Sequence, residues 1–149
     1  MAEFEIDLSG IHTTDFHREY LRAMFFTETG EEDSPLGCAG DPGQISNSMF
    51  ASTLADCDRF CKTQGHLFKE EHHTKGSPDD TAELHAARDF WYTRNGHGCG
   101  FWDGDWSKDV ADILTAASKS FGTSEPYIGD DGFYYLSGSE DCKEYPLYP

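Results

Sequence analysis

The stretch FWYTRNGHGCGFWDGDW at residues 90–106 is the most distinctive part of this chain. It interleaves large aromatic side chains with four glycines. Glycine allows tight turns and close backbone approaches, while Trp and Phe supply large buried area. The stretch therefore predicts a rigid, specifically shaped element. After a turn at Asn95-Gly96, the aromatic and glycine-bearing residues 97–103 predict a short strand against which the preceding helix packs.

Helical patterns lie on both sides of this stretch. The preceding helix, the third of four, is predicted to start at the Pro- and acid-bearing residues 77–80 and to end near 93. The fourth is predicted at about 107–121, capped by Ser107 and closed by Gly122. Apolar residues at intervals of three and four predict the first helix near 14–26 and the second at about 47–68. The outer face of the third helix is predicted to carry Asp79, Asp80, Glu83 and Asp89.

Two aromatic runs, 126–128 and 133–136, flank the sequence GDDG and predict a β-hairpin. The elements together predict an α+β fold, with about four helices packed on a small, mostly antiparallel sheet of about three strands. A chain of 149 residues with 37% hydrophobic content can bury one core. We therefore expect a single acidic domain over 1–149, with 27–47 as a long surface loop and 1–18 and 137–149 as candidate extended tails.

The chain is strongly acidic, with 28 acidic and 11 basic side chains and a formal net charge of −17. Such a surface repels nucleic-acid phosphates and anionic membranes, so it disfavours direct binding to either and favours a basic protein partner. The acidic N-terminus does not resemble a signal peptide, which predicts a cytoplasmic protein. The five cysteines are odd in number and irregularly spaced, which indicates free thiols. No cofactor is indicated.

Two motifs carry a resemblance to a known family. The sequences AARDFWYTRNGHGCGFWD at 86–103 and PYIGDDGFYY at 126–135 resemble a family of small, largely uncharacterised proteins of tailed bacteriophages. Two helical segments, EYLRAMFF at 19–26 and ADCDRFCK at 55–62, match that family more loosely. The resemblance implies a phage product acting in the cytoplasm of an infected bacterium, and it implies no particular activity.

The polar residues of the central stretch are candidates for a small catalytic site. Arg94, His97 and Asp103 could supply a cation, a base and its orienting carboxylate. A nucleophile is missing, because Cys99 would need a lowered pKa that the surrounding acids oppose. The preferred alternative is structural, with Arg94 paired to a carboxylate such as Asp103, Asn95 in the turn and His97 bonded to a backbone group.

A zinc site is a further candidate, since Cys57, Cys61 and His66 are ligands that zinc accepts. Their spacing is not a known zinc pattern, and both cysteines fall on the apolar stripe of the second helix. Buried, metal-free thiols are therefore the preferred interpretation.

The acidic excess leads to the functional hypothesis. A small, acidic phage protein without a convincing catalytic group fits an inhibitor that mimics DNA and binds a host or anti-phage-defence protein that recognises DNA or RNA. A neutral interaction or accessory module of phage replication or host takeover is the alternative, and an enzyme centred on Arg94, His97 and Asp103 is a lesser one. The carboxylates predicted to contact the partner are Glu28, Glu31, Glu32, Asp33, Asp79, Asp80, Glu83, Asp89, Asp105, Asp109, Asp112, Asp130 and Asp131.

Overall fold

Four helices and a β-hairpin form the part of the chain that the structure, a computed structural model, describes: residues 13–28, 44–73 and 80–137. The α+β class is therefore confirmed. Short 3-10 turns at Gly65–Leu67 and Glu70–His72 connect the second and third helices. None of the described helices is long and apolar enough to cross a membrane. The helices are α1 (Asp15–Glu28), α2 (Asn47–Gln64), α3 (Ala82–Arg94) and α4 (Lys108–Lys119), and the strands are β1 (Gln44–Ile45), β2 (Glu125–Ile128) and β3 (Phe133–Ser137).

Side-chain caps fix where two of the helices begin. The hydroxyl of Ser46 accepts a hydrogen bond from Met49 N at 3.1 Å, which starts α2 at its predicted position. The hydroxyl of Thr81 accepts one from Leu84 N, so α3 starts at Ala82, later than predicted. The predicted start at 77–79 lies outside the described residues. Helix α2 ends at Gln64 instead of 68, because the chain tightens there into the first 3-10 turn.

Helix α3 lies at the centre of the core. The rings of Phe90 and Phe60 stack at 4.1 Å, and Trp91 meets Tyr20 of α1 edge to face. Because α3 is covered on several sides, its predicted acidic outer face is partly wrong. Asp89 is only 2% exposed and belongs to the interior.

The predicted hairpin is confirmed as the antiparallel pair β2 and β3, with Tyr127 opposite Tyr135. Gly132 adopts φ +86° in its turn, a backbone conformation that side chains rarely allow. Strand β1 has two residues and runs parallel to β3, giving the order β1-β3-β2. The antiparallel sheet therefore has two strands, and the third strand adds only this short parallel edge. Tyr134 of β3 packs on Phe25 of α1.

The predicted strand at 97–103 is wrong, because this part of the chain forms successive turns and bends. Its backbone bonds to nearby groups and not to a neighbouring strand. Phe101 N donates to Thr93 Oγ1 at 3.1 Å, and Gly100 N donates to Asp103 Oδ2 at 3.2 Å. Phe101 and Trp106 are buried beneath it. Residues 96–107, called the turn segment below, are therefore held by local hydrogen bonds and buried aromatic side chains and are not a sheet element.

Candidate functional site

Arg94 is a structural clamp between helices. Its Nη1 donates to Asp56 Oδ2 at 2.8 Å and to the Tyr20 hydroxyl at 3.1 Å. Its Nε and Nη2 donate to the carbonyl oxygens of Gly122 and Phe121, just after α4. One buried side chain thus joins α3 to α1, α2 and the end of α4. The suggested pairing with Asp103 is wrong, and the carboxylate partner is Asp56.

The remaining candidate residues bond to different parts of the fold. Asn95 closes α3 and accepts a hydrogen bond from Ser124 N at 2.8 Å. Asp103 bonds to the backbone of Gly100. His97 Nε2 is buried without a hydrogen bond, 3.5 Å from Glu28 Oε2. Among the described residues, no hydrogen bond or ion pair links Arg94, His97 and Asp103, so the structure does not join them into an acid–base site.

The cysteines are free, buried or half-buried thiols wherever the structure describes them. Burial raises the pKa of Cys57 well above its usual value and that of Cys61 to about 12, which opposes the thiolate form that zinc binds. Burial also raises the pKa of Cys99. Residues 13–28, 44–73 and 80–137 contain no group of three side chains placed to hold a metal ion, so Cys57, Cys61 and His66 do not converge.

A cluster that sequence reasoning missed lies under the turn segment. His73 Nε2 is 2.6 Å from His85 Nδ1. On the other side of its ring, His85 Nε2 is 3.3 Å from Asp89 Oδ2 and 3.3 Å from Asp105 Oδ2. At the opposite end of the chain of contacts, Glu70 Oε1 is 3.6 Å from His73 Nδ1. We call these five residues the histidine–carboxylate cluster.

Trp106 fastens the turn segment to this cluster. Its indole Nε1 donates to Asp89 Oδ2 at 2.9 Å, and its ring packs against His73 with 4.9 Å between centroids. The backbones of His73 and Trp106 pair as an isolated antiparallel bridge, and Ser107 N donates to His72 O at 2.9 Å. The cluster therefore joins the connector before α3, the helix itself and the turn segment.

Burial changes the acid–base properties of this cluster. It raises the pKa of Asp89 to about 7, helped by Asp103 and Asp105 and opposed by the Trp106 hydrogen bond. Burial also lowers the pKa of His85. The sequence held one local signal for this site, since His85 and Asp89 are four residues apart and share a face of α3. The partners His73, Asp105 and Trp106 come from other segments.

The structure sorts the carboxylates predicted to bind a partner into four groups. Asp89 is buried, so it cannot contact a partner and that prediction is wrong. Three are half-buried and lie near a cation or a histidine: Glu28 beside His97, Asp80 on Arg88 and Asp105 beside His85. Four lie outside the described residues: Glu31, Glu32, Asp33 and Asp79. The exposed ones are Glu83, Asp109, Asp112, Asp130 and Asp131.

Gly100 allows the turn segment to lie close to α3, and a methyl group there should destabilise the fold. A Cβ at this position would collide with Thr93 Oγ1 and would lie 2.9 Å from Trp102 Nε1. We expect Gly100→Ala to lower the free energy of unfolding by about 1–3 kcal/mol, measured by urea denaturation. Gly98→Ala is the matched control, because a Cβ there meets nothing within 4 Å. Equal effects of the two variants would contradict the close packing.

Comparison of the chain with protein-family models, with curated proteins and with solved structures gives no match. The resemblance to a bacteriophage family therefore remains a prediction from the motifs at 86–103 and 126–135.

Proposed function

We propose that this protein binds a basic, nucleic-acid-binding protein of the infected cell through surface carboxylates and inhibits it by mimicking DNA. The observation that supports this most directly is the net negative charge of residues 103–131. This stretch contains seven acidic side chains against Lys108 and Lys119. A surface with this imbalance attracts cationic partners over roughly a Debye length, about 8 Å at physiological salt.

Helix α4 presents two of these carboxylates in a regular arrangement. Asp109 and Asp112 are exposed and three residues apart, which separates them by about 4.5 Å along the helix axis. Phosphates on one DNA strand are spaced by about 3.4 Å along the duplex axis, which is closer than the two carboxylates. Lys108 pairs with Asp112 at 2.9 Å, but this ion pair is exposed and therefore weak enough for a partner's cation to replace.

An exposed tryptophan beside the carboxylates supports a specific protein interface. Trp102 is 50% exposed, although Phe101 and Trp106 of the same turn segment are buried. The exposed carboxylate of Asp103 follows it directly. Trp is enriched among the residues that dominate binding energy, and its ring also attracts the guanidinium of arginine. A partner that presents arginines would therefore find both an aromatic face and anionic groups here.

A neutral interaction module is the second candidate, because several large apolar side chains are exposed. Its interface would bury apolar area and would respond weakly to salt, whereas mimicry should weaken steeply as ionic strength rises. The geometry gives less support to an enzyme at Arg94, His97 and Asp103, since these residues do not converge. The exposed apolar side chains are Phe26, Trp102, Ile113, Tyr127 and Ile128.

The test of mimicry begins with capture from a bacterial lysate on the immobilised protein at low salt, followed by stepped salt elution and mass spectrometry. The captured protein is then purified, and its binding to labelled duplex DNA is measured with increasing amounts of this protein. Loss of DNA binding at stoichiometric amounts supports mimicry. A captured protein that keeps its DNA affinity, or that elutes only with denaturant, overturns it in favour of the neutral module.

Neutralising the two carboxylates of α4 should weaken this partner. We expect Asp109→Asn with Asp112→Asn to reduce affinity about tenfold at low salt, measured by titration calorimetry, because two charge-assisted contacts are lost. The matched control is Asp15→Asn with Asp58→Asn, which makes the same change in net charge at exposed acids outside both the predicted set and residues 103–131. Equal losses in both pairs would indicate a diffuse field and contradict a defined contact surface.

A further inference from the structure

The contacts of His85 determine where hydrogens lie in the histidine–carboxylate cluster. Its Nε2 faces Asp89 Oδ2 and Asp105 Oδ2, and both are acceptors when ionised, so Nε2 must carry a hydrogen. In a neutral ring the other nitrogen then accepts. The hydrogen in the 2.6 Å contact between the rings therefore belongs to His73 Nε2.

This assignment leaves the cluster one proton short. A neutral His73 with its hydrogen on Nε2 has a bare Nδ1, and this atom is buried and has no hydrogen-bond partner. Glu70 Oε1, 3.6 Å away, is also an acceptor. The other oxygen of Glu70 accepts from Ala82 N at 2.7 Å, at the start of α3, which holds the carboxylate beside the ring. A hydrogen between Glu70 Oε1 and His73 Nδ1 is therefore what this chain of contacts lacks.

We propose that the histidine–carboxylate cluster is a single coupled proton-binding site, which takes up one proton and thereby holds the turn segment against α3. In the deprotonated state, the carboxylates of Asp89 on α3 and Asp105 on the turn segment both lie 3.3 Å from His85 Nε2, and their negative charges repel each other. Uptake of the proton removes one negative charge from the cluster.

The surrounding charges act on this uptake in both directions. Asp103 and Asp105 of the turn segment raise the pKa of Asp89, and Glu70 of the connector before α3 faces His73. From α3, Arg88 opposes protonation of His85 while Asp80 favours it. Arg88 is itself bonded to Asp80 and to Glu19 of α1. Tyr92 and Cys99, which also lie near Asp89, have raised pKa values and stay neutral.

The direction of the pH effect follows from burial. The pKa of Asp89 is about 7 in the fold against 3.8 as a model group, so the folded state holds a proton that the opened state releases. Stability of the closed turn segment is therefore greatest at low pH and is lost as pH rises through 7. Burial lowers the pKa of His85, so the two histidine rings and the Asp89 carboxyl compete for the same proton. The apparent pKa of this proton therefore belongs to the whole cluster and not to one residue.

The three tryptophans allow a direct test by 15N-edited NMR of their indole groups. The Trp106 indole donates to Asp89, whereas the Trp91 indole donates to the uncharged hydroxyl of Thr27. Between pH 5.5 and 8.5 we expect the Trp106 indole signal to pass through one transition centred within about one unit of pH 7. Trp91 should stay constant and thereby report an intact core. A constant Trp106 signal beside a constant Trp91 signal overturns the proposal.

Amide hydrogen exchange tests the mechanical consequence. Ser107 N donates to His72 O between the turn segment and the connector before α3. Ser46 N donates to Tyr134 O outside the cluster. After correction for intrinsic exchange, we expect protection of Ser107 to fall about tenfold from pH 6 to pH 8 relative to Ser46, because the closed state loses its bound proton. A constant ratio would overturn the coupling between proton and turn segment.

Variants distinguish the cluster from nonspecific pH effects. Asp89→Asn and Asp105→Asn should each move the midpoint of the Trp106 transition to lower pH, because each removes a negative neighbour of His85. The second variant keeps the test decisive if the first fails to fold, since Asp105 is less buried. Glu125→Gln on β2 is the control and should leave the transition unchanged, because this exposed side chain has no contact with the cluster. A midpoint unaffected by Asp105→Asn would contradict the proposal.

Discussion

Replacing Arg94 with methionine is expected to lower the free energy of unfolding by about 3–5 kcal/mol, the typical loss when one partner of a buried ion pair is removed. The variant leaves the Asp56 carboxylate with only Arg59, which is 3.7 Å away and half exposed. It also leaves the carbonyl oxygens of Phe121 and Gly122 without their donor. Urea denaturation measures the loss.

Two further variants make the result specific. Arg22→Met removes an arginine whose pair with Glu19 is exposed, and it should cost less than about 1 kcal/mol. Arg94→Lys keeps the charge but cannot reach four acceptors, so its stability should fall between those of the wild type and Arg94→Met. If Arg94→Met costs no more than Arg22→Met, the assignment of Arg94 as the clamp between helices is wrong.

His17 is expected to make the fold sensitive to acid by about 3 kcal/mol. The Thr53 hydroxyl donates to Met49 O, so it accepts from His17 Nε2 at 2.7 Å. His17 Nδ1 then accepts from the Thr13 hydroxyl, also at 2.7 Å, and the buried ring is neutral. Burial, helped by Arg18, lowers its pKa from 6.5 to about 4.

The sign follows from the two pKa values. Below pH 6.5 the unfolded chain binds a proton that the folded chain does not, so stability falls until about pH 4 and is unaffected above 6.5. Asp89 acts in the opposite direction over much of this range, because its pKa is raised. The wild-type pH profile alone therefore underestimates the contribution of His17, and the comparison must be made with a variant.

His17→Gln keeps a donor and an acceptor at this position but does not titrate. Its stability deficit relative to the wild type, measured by urea denaturation, should shrink by about 2–3 kcal/mol from pH 7 to pH 4.5. His66→Gln is the matched control, because this histidine is exposed, and its difference from the wild type should be nearly independent of pH. An equal deficit of His17→Gln at both pH values would contradict the lowered pKa.

The secondary structure was predictable where it depends on local chemistry. Helix spacing, caps and the GDDG turn act over a few residues, and the four helices and the hairpin follow from them. The turn segment was predicted as a strand because aromatic and glycine-rich residues resemble one locally. Its backbone instead bonds to Thr93 and Asp103. Which group satisfies a backbone N–H is decided by side chains that only the folded chain brings close.

Composition alone did not show which carboxylates are available. Asp89 and Asp109 have the same side chain and both lie in helices, yet one is buried and the other exposed. The reason is that α3 is covered on more sides than α4. The histidine–carboxylate cluster was missed for a related reason. Its members span residues 70–105, so only the i, i+4 pair of His85 and Asp89 shares an element.

The sequence by itself determined the α+β class, the order of the helices and hairpin, and the strongly negative charge, because these depend on composition and short-range periodicity. The tertiary structure decided the partner of Arg94, the burial of Asp89 and the proximity of His73 to His85. Those features arise from long-range packing, because close-packed neighbours exclude water and shift the pKa of buried ionisable groups. The proposed acidic surface combines both, since composition sets its charge and the fold selects which carboxylates face solvent.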